Sequence, residues 1–247
     1  MASVFQTPDY KTYKMDMTRP FEQIEPRERE LEIVDRCLTH LVAEGILPHT
    51  EYDREKFLAH TEAVKEAFEI PWTAITPRMQ RLLYAIAAIL QPPVIISDGA
   101  FCGFTFVCNA GAAVGPGACY QAEAVIGVEI VPEEAARAEC NIRAIDPTGV
   151  ARVVCADAVP FCANWQGEIN LLYHDADGDE ARGKGIYLDI TRAAWDKLPE
   201  GAVILAHNSY NCGPMLDKYL AFVRDESNCR ASVHVLFDGE GLEVSVK

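Results

Sequence analysis

After Pro93 the chain alternates short apolar runs with helix-spaced stretches, and it closes on two apolar runs joined by Gly239-Glu240-Gly241. Few folds satisfy that order. Val94–Ser97, Ala124–Ile130, Ala151–Asp157, Ile169–His174 and Ala202–Asn208 read as buried strands. Helical spacing lies between them, in Thr105–Val114, Pro132–Ile145, a stretch within 179–197, and Met215–Asp225. Pro132 suits a first helical turn, and Glu133 and Glu134 follow where a helix favours negative charge. The final runs, Ser232–Asp238 and Leu242–Val246, form a hairpin and are therefore antiparallel. The expectation is an α/β fold with a Rossmann-like sheet of seven strands, mostly parallel, ending in an antiparallel C-terminal hairpin.

The preceding segment differs in pattern. Residues 26–45 read as a helix with Leu31, Val34, Leu38, Leu41 and Val42 on one stripe, ended by Gly45. Further helices are expected over Asp53–Phe68 and Pro77–Leu90. Residues 1–20 are polar and aromatic without periodicity, which fits either a disordered tail or an arm folded over a pocket. The division is thus an arm and helical cap over 1–90 and a ligand-binding domain over 91–247.

Composition excludes several partners. The net charge of −15 repels phosphate backbones and anionic membrane surfaces, so no nucleic acid or membrane partner is expected. No apolar run approaches the ~18 residues of a bilayer span. Nine cysteines without C-x-x-C spacing, and no apolar leader, fit free thiols in a reducing cytoplasm. The apolar cap is compatible with a homodimer.

In an open α/β sheet, ligands sit beyond the carboxyl ends of the strands. Those ends read Ser97-Asp98-Gly99-Ala100-Phe101-Cys102-Gly103-Phe104-Thr105, then Glu129-Ile130, then Ala156-Asp157, then His174-Asp175-Ala176-Asp177, then His207-Asn208. Gly99 and Gly103 let the first loop approach a ligand closely. Glu129, 26 residues beyond Gly103, stands where a carboxylate grips both ribose hydroxyls. Asp157 can accept from an adenine amino group. In this order, these features point to an adenosine-containing ligand.

With these residues in view, 77–247 resemble the class I methyltransferases that use S-adenosylmethionine (SAM), specifically the small-molecule O-methyltransferases of the catechol and caffeoyl-CoA type. The loop Gly99–Thr105 is similar to that family's glycine motif, Val128–Glu133 to its ribose motif, and Asp175-Ala176-Asp177-Gly178 to its fourth-strand motif. The resemblance implies SAM bound by Gly99, Phe101, Gly103, Thr105, Glu129, Ile130, Ala156, Asp157 and Asp175. Arg78 would meet the SAM carboxylate or be an exposed helix-end residue. Tyr10, Tyr13, Trp72 and Asn208 are candidates to close over the sulfonium, with Trp72 alternatively part of the cap core.

Two departures stand out. The acid usually found two residues before the first glycine is Ser97 here, with Asp98 displaced by one. Metal-dependent members hold a divalent cation on an Asp and an Asp-Asn pair, and those positions here are Asp175, His207 and Asn208. Imidazole suits Mg²⁺ poorly, although Asp175 and His207 could hold a softer ion such as Zn²⁺. No metal is therefore expected. Instead His174, Asp175, His207 and Tyr210 are the candidates for acid–base catalysis, with either histidine alternatively packing under the loop. The leading expectation is methyl transfer from SAM to oxygen or nitrogen of a small molecule. The alternative is a SAM cyclase that makes azetidine-2-carboxylate and methylthioadenosine from SAM itself. A nicotinamide-dependent dehydrogenase is disfavoured because the chain ends in a hairpin rather than a second βαβαβ half. A non-catalytic SAM-binding module is disfavoured by the polar residues gathered at the strand ends.

Overall fold

The computed structural model describes residues 3–247; Met1 and Ala2, the start of the expected arm, lie outside the described residues. The strands are β1 (Ser3–Gln6), β2 (Val94–Asp98), β3 (Ala124–Glu129), β4 (Ala151–Cys155), β5 (Leu171–His174), β6 (Val203–His207), β7 (Ala231–Leu236) and β8 (Leu242–Val246). They form one sheet in the order β1-β7-β8-β6-β5-β2-β3-β4. Strand β8 runs against both its neighbours, β6 and β7, while the other pairings are parallel. The seven expected strands are all present. An eighth, β1, adds to the β7 edge with Ser3 opposite Val233 and Leu236 opposite Gln6. The arm is thus sheet over Ser3–Gln6, not a disordered tail there. Those four residues are too few for a pattern signal, and parallel pairing with a strand more than 220 residues away leaves no local trace.

Helices cover both faces: α1 (Arg27–Ala43), α2 (Arg54–Ala67), α3 (Pro77–Leu90), α4 (Phe104–Ala110), α5 (Pro132–Ile145), α6 (Ala158–Asn164), α7 (Ile186–Ala194) and α8 (Gly213–Val223). Helix α3 begins where Thr76 accepts from the Met79 amide and Pro77 fills the first turn. It ends at Gln91, which is left-handed with φ 49°. Between those ends Arg78–Ile89 is buried throughout, so α3 is a central helix packed against α1 and α4. Side chains of α1, α3, α4 and α5 share one apolar core with the near face of the sheet; α6, α7 and α8 build the core of the opposite face. The short helix α6 was not expected. It follows β4 directly, so the run Ala151–Asp157 hides the junction, and Asp157 caps it by accepting from the Val159 amide.

The strand carboxyl ends converge because β2 lies centrally, between β3 and β5. Gly99 is required there by backbone packing. At φ 68° its missing Cβ would lie 2.4 Å from the Ala176 amide nitrogen, so any side chain would push the β2 and β5 loops apart.

Candidate active site

A cavity of about 890 Å³ opens at these strand ends. On its β2–β3 side Glu129 is 8% exposed, and both its oxygens are held by main chain. Oε2 accepts from the Phe101 amide at 2.7 Å and Oε1 from the Val131 amide at 2.9 Å. This fixes the carboxylate toward the cavity with a lone pair on each oxygen still available. Phe101 holds a left-handed φ of 48°, and its ring lies 4.9 Å from that of Trp72. Thr105, Ile130, Ala156 and Asp157 line the same side. Of the residues expected to face a nucleoside, these and Gly99 are brought together in the lining, but Gly103 is not: its missing Cβ faces Ala138 of α5 at 3.3 Å, so that glycine serves helix packing.

On the β5–β6 side the cavity meets Asp175, His207 and Asn208. Asp175 Oδ1 lies 3.3 Å from His207 Nδ1 and 3.0 Å from Lys184 Nζ. Lys184 also donates to the Asp175 carbonyl at 2.6 Å and stands 3.2 Å from Asp177 Oδ2, so three oxygens meet its three N–H groups. Burial pushes the Asp175 carboxyl up, but the Lys184 ammonium and the His207 ring outweigh it and hold its pKa below the usual value. Burial likewise opposes the His207 charge, and the Asp175 carboxylate outweighs it, raising the imidazole pKa above 6.5. His207 is 1% exposed, and its Nε2 has no hydrogen-bond partner among the described residues.

Several expected residues lie elsewhere. His174 is fully buried away from the cavity, with Nδ1 2.6 Å from Asp98 Oδ2 and Nε2 2.9 Å from Thr191 Oγ1. Both ring nitrogens are occupied, so it cannot relay a proton to a ligand, and the acid–base expectation for it is corrected. Tyr210 is 38% exposed and packs edge-on against Tyr10 at 5.2 Å; neither lines the cavity. Arg78 is fully buried and all five of its N–H groups are spent: on both carboxylate oxygens of Asp9, both of Glu25, and the Phe237 carbonyl. It has no donor left for a ligand carboxylate. Its guanidinium covers the Tyr13 ring at 3.5 Å, which removes Tyr13 from any sulfonium role. Arg78 and Tyr13 instead pin the arm to α3. From the arm it is Met17 that reaches the cavity, and Trp72, 47% exposed, lines it.

Three residues escaped the pattern reading. Asp98 is fully buried beneath the loops, accepting from the Asp175 and Ala176 amides with Oδ1. Lys184 lies in a short turn, Gly183–Gly185, inside a stretch read only as helix. Glu240 lies in the β7–β8 turn, where its glycines signalled only chain reversal. Its Oε2 accepts from Asn208 at 2.9 Å and from Asn211. Asn208 takes a left-handed φ of 61°, a conformation Asn tolerates better than most residues.

Asp175, His207 and Asn208, the positions considered for a divalent cation, do not fit a hard ion such as Mg²⁺. The Lys184 ammonium already sits on Asp175, an imidazole replaces the second carboxylate, and the Asn208 amide is turned to Glu240. Among the described residues no three His, Cys, Asp or Glu side chains converge to hold a metal ion. No helix there is long and apolar enough to cross a membrane.

Residues 98–209 match the family model described as a methyltransferase domain. No curated protein matches the sequence. Among solved structures, the chain is similar to an SAH-bound methyltransferase from Podospora anserina, at 16% identity over 92% of this chain and 100% of that one, with a TM-score of 0.59. It is also similar to the Bacillus cereus O-methyltransferase in complex with SAH (15%, 87% and 97%, TM-score 0.57). A third is the Streptomyces achromogenes O-methyltransferase TomG, involved in tomaymycin synthesis and bound to SAM (17%, 90% and 99%, TM-score 0.54). At such identities the likeness establishes the fold: the chain shares the fold of these methyltransferases, and within it residues 98–209 match a methyltransferase domain.

Proposed function

We propose that the protein transfers the methyl group of SAM to an oxygen or nitrogen of a small-molecule acceptor, without a metal ion. The observation that carries this is the Asp175–His207 pair on one wall of the cavity whose other wall presents Glu129 and Asp157. SAM supplies an electrophilic methyl on a positively charged sulfur. Glu129, already oriented by two amides, would take the ribose hydroxyls, and Asp157, with Oδ1 on the Val159 amide, would face the adenine. Trp72 and Met17 would close the mouth, with residues 1–90 acting as arm and cap and the setting a reducing cytoplasm. His207 Nε2 would take the acceptor's proton while Asp175 holds the ring through Nδ1 and stabilises the imidazolium. Lys184 keeps Asp175 ionised and in place. Most of the catalytic effect would come from aligning nucleophile, methyl and sulfur.

The test is to incubate the purified protein with SAM, with and without candidate acceptors, and identify the nucleoside product by mass spectrometry. S-adenosylhomocysteine formed only with an acceptor supports methyl transfer. Methylthioadenosine accumulating from SAM alone would overturn it in favour of cyclisation. Glu129→Ala should abolish detectable SAM binding by calorimetry; unchanged binding would mean that the nucleoside lies elsewhere.

A further inference from the structure

The cavity has a charge asymmetry that bears on the acceptor. It is lined by Glu129, Asp157, Asp175, Asp177, Asp179 and Glu240, against the cations Lys184 and Arg182. Lys184 is saturated by Asp175 and Asp177, whereas Arg182, 56% exposed at its side chain, spends one of its five N–H groups on Asp189 at 3.2 Å and keeps the others. The carboxylates outnumber the cations, so a carboxylate- or phosphate-bearing acceptor would meet net like charge over most of the lining.

Glu240 differs from the other carboxylates in how it is built in. Its carbonyl accepts from the Tyr210 and Asn211 amides and its own amide donates to Asp238 Oδ1, so its backbone is tied to both flanking turns. Asn208 and Asn211 both donate to Oε2, whereas Oε1 accepts from no group of the described residues. Burial raises the Glu240 carboxyl above its usual value, against the opposing pull of the His207 ring. The second observation is independent of this acidic cluster. Buried His207, close enough to Glu240 to act on it electrostatically, lines the same cavity with an unpartnered Nε2.

We propose that the acceptor is a small amine, held as its ammonium by Glu240 Oε1 and deprotonated by His207 Nε2. This rests on the methyl-transfer reading above and narrows it from oxygen or nitrogen to nitrogen. The ammonium gives one proton to Nε2. The freed lone pair forms the nitrogen–carbon bond as the carbon–sulfur bond breaks, and sulfur keeps that electron pair as a neutral thioether. The methylated nitrogen carries the positive charge, again opposite Glu240, and the imidazolium passes its proton to water. Charge balances, two positive charges on each side. The exposed Trp72, with Phe101 and Met17 in the same lining, gives the amine an apolar body to match.

The experiment uses the full chain saturated with S-adenosylhomocysteine. Three probes with one apolar body and different head groups are titrated by ligand-detected NMR: 2-phenylethylamine, 4-ethylphenol and 3-phenylpropionate. The amine should bind tighter than the phenol, and the phenol tighter than the acid. Glu240→Gln should weaken the amine about tenfold, the scale of one charge-assisted hydrogen bond, and leave S-adenosylhomocysteine and the phenol unaffected. Amine binding no tighter than phenol in the native chain, or an amine affinity untouched by E240Q, overturns the inference while methyl transfer stands. Weakened S-adenosylhomocysteine binding in E240Q also overturns it, because Glu240 then serves the nucleoside. Failure of the native chain to bind S-adenosylhomocysteine overturns both.

Discussion

Two carboxylate–histidine pairs stand at the ends of the central strands, one strand-width apart in origin and opposite in use. Asp98 and His174 are register partners on β2 and β5, on the sheet face covered by α7 and α8. There the imidazole stacks on Tyr187 at 5.1 Å and donates or accepts at both nitrogens, with nothing open to a ligand. Asp175 and His207 stand one step further along, at the cavity, and leave Nε2 free. The same two side-chain types make a structural tie in one place and a candidate base in the other. What separates them is whether the second ring nitrogen is already satisfied, not the strength of the pair.

The sharpest way to break this comparison is a matched pair of substitutions. His207→Gln should lower kcat by about 10²–10⁴-fold, the usual contribution of a positioned base, with SAM affinity retained. His174→Gln should leave kcat of the folded protein unchanged. Equal losses in steady-state assays would mean that the two pairs do not differ in role. The second effect is on stability. Asp98→Ala strips a buried histidine of its partner and two loop amides of their acceptor, and should cost about 3–5 kcal/mol in urea unfolding. A smaller loss at Asp98 than at the partly open Asp175 would reverse the assignment.

A third prediction uses pH. His207 must be neutral to accept a proton, and its pKa is raised, so kcat/KM should rise with pH through a value above 6.5. Asp175→Asn removes the largest raising influence and leaves burial, so this limb should move to lower pH. Stability runs the other way. The raised His207 pKa stabilises the fold fully below the unfolded value and loses that contribution as pH climbs through the folded one. A limb that stays in place in Asp175→Asn would assign it to another group. The smallest effect is expected at Tyr210, where Tyr210→Phe on the exposed rim should change stability by less than about 0.5 kcal/mol and leave kcat unaltered.

Much of the fold was legible in the chain itself. The run of strand–helix units closing on a hairpin requires a mostly parallel sheet with one reversed strand, and that follows from periodicity and turn chemistry alone. Glu129 and Asp157 were readable for a related reason: a strand end is a position on the chain, and in this architecture strand ends face the ligand side. Arg78 failed the same reading. Its position at a helix start suggested a ligand, but the arm folds back and spends every donor on Asp9, Glu25 and Phe237. Nor could the sequence tell His174 from His207. Each ends a strand beside a polar neighbour, and which ring faces α7 and which faces the cavity depends on side-chain alternation counted from an exact strand boundary. Lys184 and Glu240 were hidden because a short glycine-flanked turn signals only a change of direction; their partners lie on other loops, up to 32 residues distant. Local sequence thus determined the elements, their order and the carboxylates Glu129 and Asp157 of one cavity wall, since these depend on spacing along the chain. Only the tertiary structure decided which charges are already paired, because pairing depends on distances between loops that no local pattern fixes.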